Sequence, residues 1–416
     1  MKKGVLPCLT IALINLYSCQ SPSESTPVAA ADTTAAIPPA AGSFGYDLAF
    51  IRQHDKDALV LQDGDAKLIV SPRYQAKVFT STAAGDSGAS FGWVHYKAFD
   101  GNPDPHMNAY GGEDRLWLGP EGGKFSLFFA PGAKMEFANW KTPADFDTDP
   151  WELLSHTSTS AQMQKHMQLT NYAGTKLLLS VTRSVTLFNR EQVDSLLKLV
   201  ADTAVKVVGY QTLNILTNTG SQSWTEVTGM PCLWLLDMLK PSPATVIVIP
   251  YTKETDEAKG KPATTDYFGE IAADRIKFQD SVLFFKADGK SRGKLGIHPL
   301  RAKSMAGSYD TLHQVLTLVV FDIAPHAKYL NQEWNTVKPP FSGDAVNAYN
   351  DGPLADGSQM GPFYELESVS PAETLHPGAS LTHHHSVFHF TGPVTSLDMI
   401  CRKTLGIPLD AIRKAF

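Results

Sequence analysis

Thr175-Lys-Leu-Leu-Leu-Ser-Val-Thr-Arg-Ser-Val-Thr-Leu-Phe188 puts Leu177, Leu179, Val181, Arg183 and Val185 on every second position. Side chains of a strand point alternately to its two faces, so this period reads as a half-buried β-strand. The same reading extends outward to 58–62, 66–71, 206–217, 244–251, 281–286 and 314–323, each bounded by Asn, Gly, Pro or Asp. Asp63-Gly64-Asp65 between the first two predicts a hairpin turn, because glycine tolerates positive φ. Helical patterns are few: 190–200, and an amphipathic close over 394–416. Many strands without a βαβ rhythm predict an all-β, antiparallel sandwich or barrel, and no internal repeat interrupts it.

The first residues carry a different message. Lys2 and Lys3 precede an apolar stretch from Val5 to Tyr17, too short to span a bilayer, and Leu16-Tyr17-Ser18-Cys19 follows. This predicts a lipoprotein signal peptide over 1–18, with Cys19 as the lipid-bearing first residue of the mature chain. Residues 19–43, rich in Ser, Thr, Ala and Pro, read as a flexible tether. The expected location is the cell envelope of a Gram-negative bacterium, lipid-anchored and facing the periplasm or the surface, with the membrane as partner through Cys19. Residues 44–416 then form one domain, since no low-complexity linker divides them. A net charge of −6 without basic runs argues against nucleic acid. Cys232 and Cys401 remain after processing, either paired or as buried thiols, and no CxxC motif is present.

Four segments combine polar, aromatic and glycine residues. Asn108 to Gly123 places Glu113, Asp114, Arg115 and Glu121 beside Trp117, between paired glycines. Charged groups next to an aromatic platform suit a sugar, whose C–H face stacks while its hydroxyls need directional partners; a structural Arg115–carboxylate pair is the plainer alternative. In 285–298, Asp288-Gly289 predicts a hairpin turn, after which Arg292, Lys294 and His298 share a strand face; one cation there could hold a substrate oxygen, or the face is simply solvated. In 343–353, Asp344, Asn347, Asn350 and Asp351 suit hydroxyls, Ca²⁺ or ordinary Asx turns. The fourth, 363–390, reads as a hairpin with Glu365 and Glu367 on one strand face, and with His383 and His385 on one face of a returning edge strand, opposite His384. Paired carboxylates can be tuned for general-base work. A His/Glu metal site is conceivable, with exposed histidines as the alternative; no resident metal or cofactor is expected.

At these segments the sequence resembles the galactose-mutarotase-like (aldose 1-epimerase-like) superfamily, and more closely a lipoprotein branch of it, over most of 44–416. The resemblance rests on Tyr110-Gly-Gly-Glu-Asp-Arg-Leu-Trp-Leu-Gly-Pro-Glu-Gly-Gly, Thr217-Asn-Thr-Gly220, Asp288-Gly-Lys, Gly343–Gly352, and Tyr364-Glu-Leu-Glu with Leu375-His-Pro-Gly. It implies a β-supersandwich whose concave face binds carbohydrate, and an isomerase that inverts the anomeric carbon with a late-strand Glu as base. Glu367 matches that base, with Glu365 as its neighbour. The pattern has His where this chain has Tyr110, and a His-Pro motif where it has Met230-Pro231-Cys232. His298, His106 or His156 could supply the acid. Three functions follow: an aldose-1-epimerase-like isomerase, a non-catalytic glycan-capture protein, or a metal-dependent glycan hydrolase or lyase built on 344–351 and the histidines.

Overall fold

The strand read from 175–188 forms over Lys176–Leu187 and lies third from one edge of a ten-stranded antiparallel sheet. The computed structural model describes residues 39–200, 202–253 and 261–416. The signal peptide, Cys19 and all but the end of the tether lie outside the described residues.

The described residues open with helix α1 (Phe44–His54), strands β1 (Leu59–Asp63), β2 (Ala66–Ser71) and β3 (Lys77–Thr82), and helix α2 (Tyr96–Asp100). Then come β4 (Arg115–Gly119), β5 (Glu152–His156), β6 (Ser160–Thr170), β7 (Lys176–Leu187), helix α3 (Arg190–Leu197) and β8 (Lys206–Asn218). Next are β9 (Cys232–Leu239), β10 (Thr245–Pro250), β11 (Ile276–Gln279), β12 (Val282–Lys286) and β13 (Gly293–Ile297). The chain closes with β14 (Met305–Asp310), β15 (Val315–Phe321), β16 (Val346–Asn350), β17 (Tyr364–Val369), β18 (Ser380–Thr391), α4 (Val394–Thr404) and α5 (Leu409–Arg413).

The large sheet runs β11-β12-β10-β14-β15-β18-β8-β7-β6-β5, and a second runs β13-β16-β17-β9-β4. A small sheet, β1-β2-β3, turns at Asp63-Gly64-Asp65 as expected, with Asp63 opposite Ala66 and Gly64 at φ +58°. The main core holds Leu177, Leu179 and Val181 from the large sheet and Leu233, Leu235 and Leu366 from the five-stranded one. Helices α3, α4 and α5 bring Val193, Leu397, Ile400 and Ile412 against Val248, Leu316, Leu318 and Phe390, capping the other face of the large sheet. Asn189 starts α3 with a reciprocal cap to Gln192, and Lys198 ends it in the left-handed region, short of the expected Val200.

Three local expectations are corrected. The 363–390 stretch is not a hairpin: β17 pairs with β9 and β16, whereas β18 pairs with β8 and β15 in the other sheet. β18 is therefore interior rather than an edge, and His383 and His385 are fully buried while His384 points outward to Asp322. Asp288-Gly289 likewise passes the chain between sheets rather than turning a hairpin. Alternation reports which side chains share a face, and says nothing about which sheet holds the partner strand.

A polar seam crosses the core. Arg183, on the apolar face of β7, donates to Asp114 Oδ1 at 2.8 Å, Asn214 Oδ1 at 2.8 Å and the Ala76 carbonyl at 2.9 Å. His385 bonds Asp237 Oδ2 at 2.8 Å and Ser368 Oγ at 2.9 Å, and Ser368 reaches His383 Nε2 at 2.8 Å. Glu113 accepts from the Ser81 amide and hydroxyl, each at 2.6 Å, and lies 3.1 Å from His389. Buried charges are tolerated only when paired and hydrogen-bonded, which these largely are. Cys232 and Cys401 are buried free thiols in two separate cores.

Candidate functional site

The five-stranded sheet turns one face to the core and the other outward, and strand period assigns the residues. Cross-strand register sets Lys294, Tyr349, Glu365 and Met238 in one row. Asn347, Glu367, Leu236 and Arg115 make the next row, and Trp234 opposite Trp117 makes the third. Trp140, Trp334, Phe137 and Phe268, from loops and a short turn, stand around this face. They enclose a cavity of about 490 Å³ lined by Glu121, Arg292, Lys294, Tyr349 and Asp351. A smaller space of about 150 Å³ adds Arg115, Trp117, Trp234 and Glu365 and shares eight lining residues with the first, so the two form one groove.

Ion pairs lie along its floor. Arg115 donates to Glu365 at 2.5 Å and sits 5.2 Å from the Trp117 ring centroid. Lys294 donates to Glu367 Oε2 at 3.1 Å and lies 4.6 Å from the Trp234 ring centroid, while the Trp234 indole donates to the same oxygen at 2.9 Å. Glu367 is fully buried, lines neither part of the groove, and has an Oε1 without a hydrogen-bond partner among the described residues. Burial pushes the Glu365 carboxyl up to about 7; Arg115 opposes the rise and the neighbouring Glu367 adds to it. Burial also raises Glu121, whose carboxyl accepts a hydrogen bond from Trp334.

Of the residues singled out by sequence, Arg115, Trp117, Arg292, Asp351 and Glu365 line the groove, with Glu367 directly beneath it. Arg292 lies 3.8 Å over the Phe268 ring, and its Nε reaches Tyr349 Oη at 3.3 Å. Asp351 accepts from Tyr349 Oη and the Gly361 amide. Asn108 is held by Asp147 in a side recess behind Arg115 and Trp117. Glu113 belongs to the interior seam.

The 344–351 residues do not converge. Asp344 takes the Tyr267 hydroxyl at 2.6 Å, Asn347 bonds the Leu295 carbonyl, and Asn350 binds the Gly289 amide and the Ser291 carbonyl. Asp344 and His298 line a separate recess, so His298 is not brought to the carboxylates. No histidine among the described residues lines the groove. The paired glycines pass protein rather than ligand: Gly111, at φ +85°, would put a Cβ 2.2 Å from the Trp93 carbonyl oxygen. Asp114, Asp237 and His385 come close enough to hold a metal ion, but inside the core, where Arg183 already neutralises Asp114.

Sequence reasoning passed over Trp234, Trp334, Trp140 and Phe268, and named Glu121 beside Trp117 without giving it a role. Trp234 hides in the uniformly buried run Cys232–Leu239, where no polar alternation marks the outward face. Lys294 was legible, standing two residues from Arg292 on one strand face.

Residues 42–416 match the model of a family of unknown function, DUF6786. No curated protein matches the sequence. Among solved structures, a galactose mutarotase-like protein from Lactobacillus casei is similar at 11% identity, covering 80% of this chain and 99% of that one, with a TM-score of 0.48. The Slr1438 protein from Synechocystis is 14% identical over 81% of this chain and 96% of that one, TM-score 0.47. A galactose mutarotase related enzyme from Lactobacillus acidophilus is 8% identical over 81% and 97%, TM-score 0.40. Two of these three descriptions name galactose mutarotases, the superfamily that the motifs resemble.

Proposed function

This chain belongs to the DUF6786 family, and from the chemistry of its groove we propose that it binds carbohydrate on the outer face of the five-stranded sheet. The observation that carries the reading is the pairing of Arg115–Glu365 and Lys294–Glu367 on the groove floor with Trp117 and Trp234 beside them. Fixed, charge-assisted donors and acceptors suit directional sugar hydroxyls, and indole faces suit the ring's C–H surface. The mixed charge of the groove is wrong for a phosphate backbone. Saturation-transfer NMR against free aldoses and oligosaccharides tests this. Transfer to sugar protons, weakened in Arg115→Met, supports the reading; no transfer across the panel counts against it.

An isomerase reading is favoured over pure capture by the carboxyl of Glu365, which lines the groove beside Arg115 and whose pKa burial raises toward neutrality. For the N-terminus we propose lipidation at Cys19. Mass spectrometry of the membrane-extracted protein would find a diacylglyceryl mass on Cys19, absent in Cys19→Ser.

A further inference from the structure

The helices packed on the outer side of the ten-stranded sheet cover β12, β10, β14, β15 and the adjoining ends of β8 and β18. Over the rest of β6, β7, β8 and β18 the outward face is left uncovered among the described residues. Register sets sixteen of its side chains in four rows of four. Gln164, Thr182, Ile215 and Thr382 make one row, and the outermost rows start at Ser160 and His166. None of the sixteen is Asp, Glu, Lys or Arg, although a surface of that size ordinarily carries about five charges. None is a Phe, Tyr or Trp either. Charge returns only at the border, with Glu152 on the neighbouring β5, Asp322 against His384, and Lys176 beyond the last row.

The polar groups of this face are bonded to one another. Each row holds one cross-strand hydrogen bond: Gln211 to Ser386 at 3.1 Å, Gln162 to Ser184 at 3.1 Å, Gln164 to Thr182 at 3.0 Å, and Thr217 with Ser380 at 2.8 Å. Covering such a surface desolvates no charge and strips water from groups that already have partners, so its cost is small. Leu213 and Ile215 stand half-buried on β8 in the two middle rows.

We propose that this face is where two copies of the chain pair, sheet against sheet. In plan it measures about 19 Å across the strands by about 27 Å along them, roughly 500 Å². Two such faces together reach the total of about 1,000 Å² that a specific interface needs. A formal net charge of −6 gives two copies a mutual repulsion, which is least where neither carries a charge. Without aromatic rings the face has no platform for a sugar, and without cations it has no hold on phosphate. An uncharged centre inside a charged rim is the composition typical of protein interfaces. The main core separates this face from the groove, so a pair joined here leaves both grooves open on opposite sides.

The test is sedimentation equilibrium of the full chain in density-matched detergent over a wide concentration range. The expected result is a monomer–dimer equilibrium. Thr182→Glu and Thr382→Lys, which place a charge on two different strands of the face, should each weaken it at least about a hundredfold. Val337→Glu, in an exposed loop away from the face, should leave it unchanged. A benzoylphenylalanine at Gln164 should crosslink two copies under light, and one at Val337 should not; this crosslink decides if thermal melts show that a charged variant has failed to fold. A monomer at every concentration overturns the proposal. So does a dimer that either folded variant leaves intact, or one that crosslinks from Val337 and not from Gln164. A monomer that sediments with insoluble polysaccharide, and no longer does so as Thr182→Glu, would assign the face to a glycan and overturn the pairing as well.

Discussion

The Lys294 ammonium and the Glu367 carboxylate meet at 3.1 Å beneath the groove, and neither has much access to water. Their attraction offsets a desolvation cost that neither could bear alone. Lys294→Met should therefore destabilise the fold by about 3–5 kcal/mol, by leaving Glu367 charged and unpaired. Adding Glu367→Gln should recover part of that loss. A urea double-mutant cycle checks this; additive losses would mean that the two side chains do not interact.

Arg183 makes the parallel case inside the core. It is wholly buried and joins Asp114, Asn214 and the Ala76 carbonyl across the interior. Arg183→Met should cost about 3–5 kcal/mol, more than the Lys338 side of the exposed Lys338–Glu333 pair, whose removal should cost less than about 1 kcal/mol. Chemical denaturation of both single variants orders them.

Stability should fall as pH rises through neutrality. Burial pushes Asp237 up to about 7 against the opposing pull of His385, and burial likewise puts Glu365 near 7. His385 is raised as well, since Asp237 outweighs its desolvation. Groups with raised folded values stabilise the fold below their unfolded pKa and lose that contribution as pH climbs through the folded one. The window runs from about pH 4 to somewhat above 7. Melting temperature should drop from pH 5.5 to 8.5, and Asp237→Asn should flatten the slope. An unchanged slope in that variant would show that another group sets it.

Arg292 stands at the exposed rim, over Phe268. Arg292→Ala should weaken sugar binding about tenfold, the value of one charge-assisted contact, with little effect on folding. Titration calorimetry against the sugar identified by NMR measures the first, and a thermal melt the second.

Cys232 and Cys401 lie in separate cores, so no bond between them contributes to stability. Alkylation after denaturation without reductant should label both residues, read by peptide mass spectrometry. A linked peptide would contradict the fold.

How far the sequence carried is clear from particular residues. Alternation through 175–188 placed the strand and its inward face, including Arg183, because pleating alone dictates sidedness. Glu365 and Glu367 were correctly set on one face for the same reason. Partner strands were not legible: β17 and β18 look like a hairpin because a turn-rich stretch joins them, yet that stretch carries the chain from one sheet to the other. His298 lies on a pattern shared with Arg292 and Lys294, but the strand ends at Ile297 and sends it to another recess. Trp234 and Glu121 gave no periodic signal, since one lies in a strand buried on both faces and the other in a loop.

The most direct test of the carbohydrate groove is the ¹H–¹⁵N spectrum of the protein with ¹⁵N-labelled tryptophan indoles, titrated with a panel of free aldoses and oligosaccharides. The account predicts that a bound sugar shifts the Trp117, Trp234 and Trp334 signals, assigned by single Trp→Phe replacement, and leaves Trp151 and Trp224 in place. Shifts confined to Trp151 or Trp224, or no shift with any sugar, would contradict it.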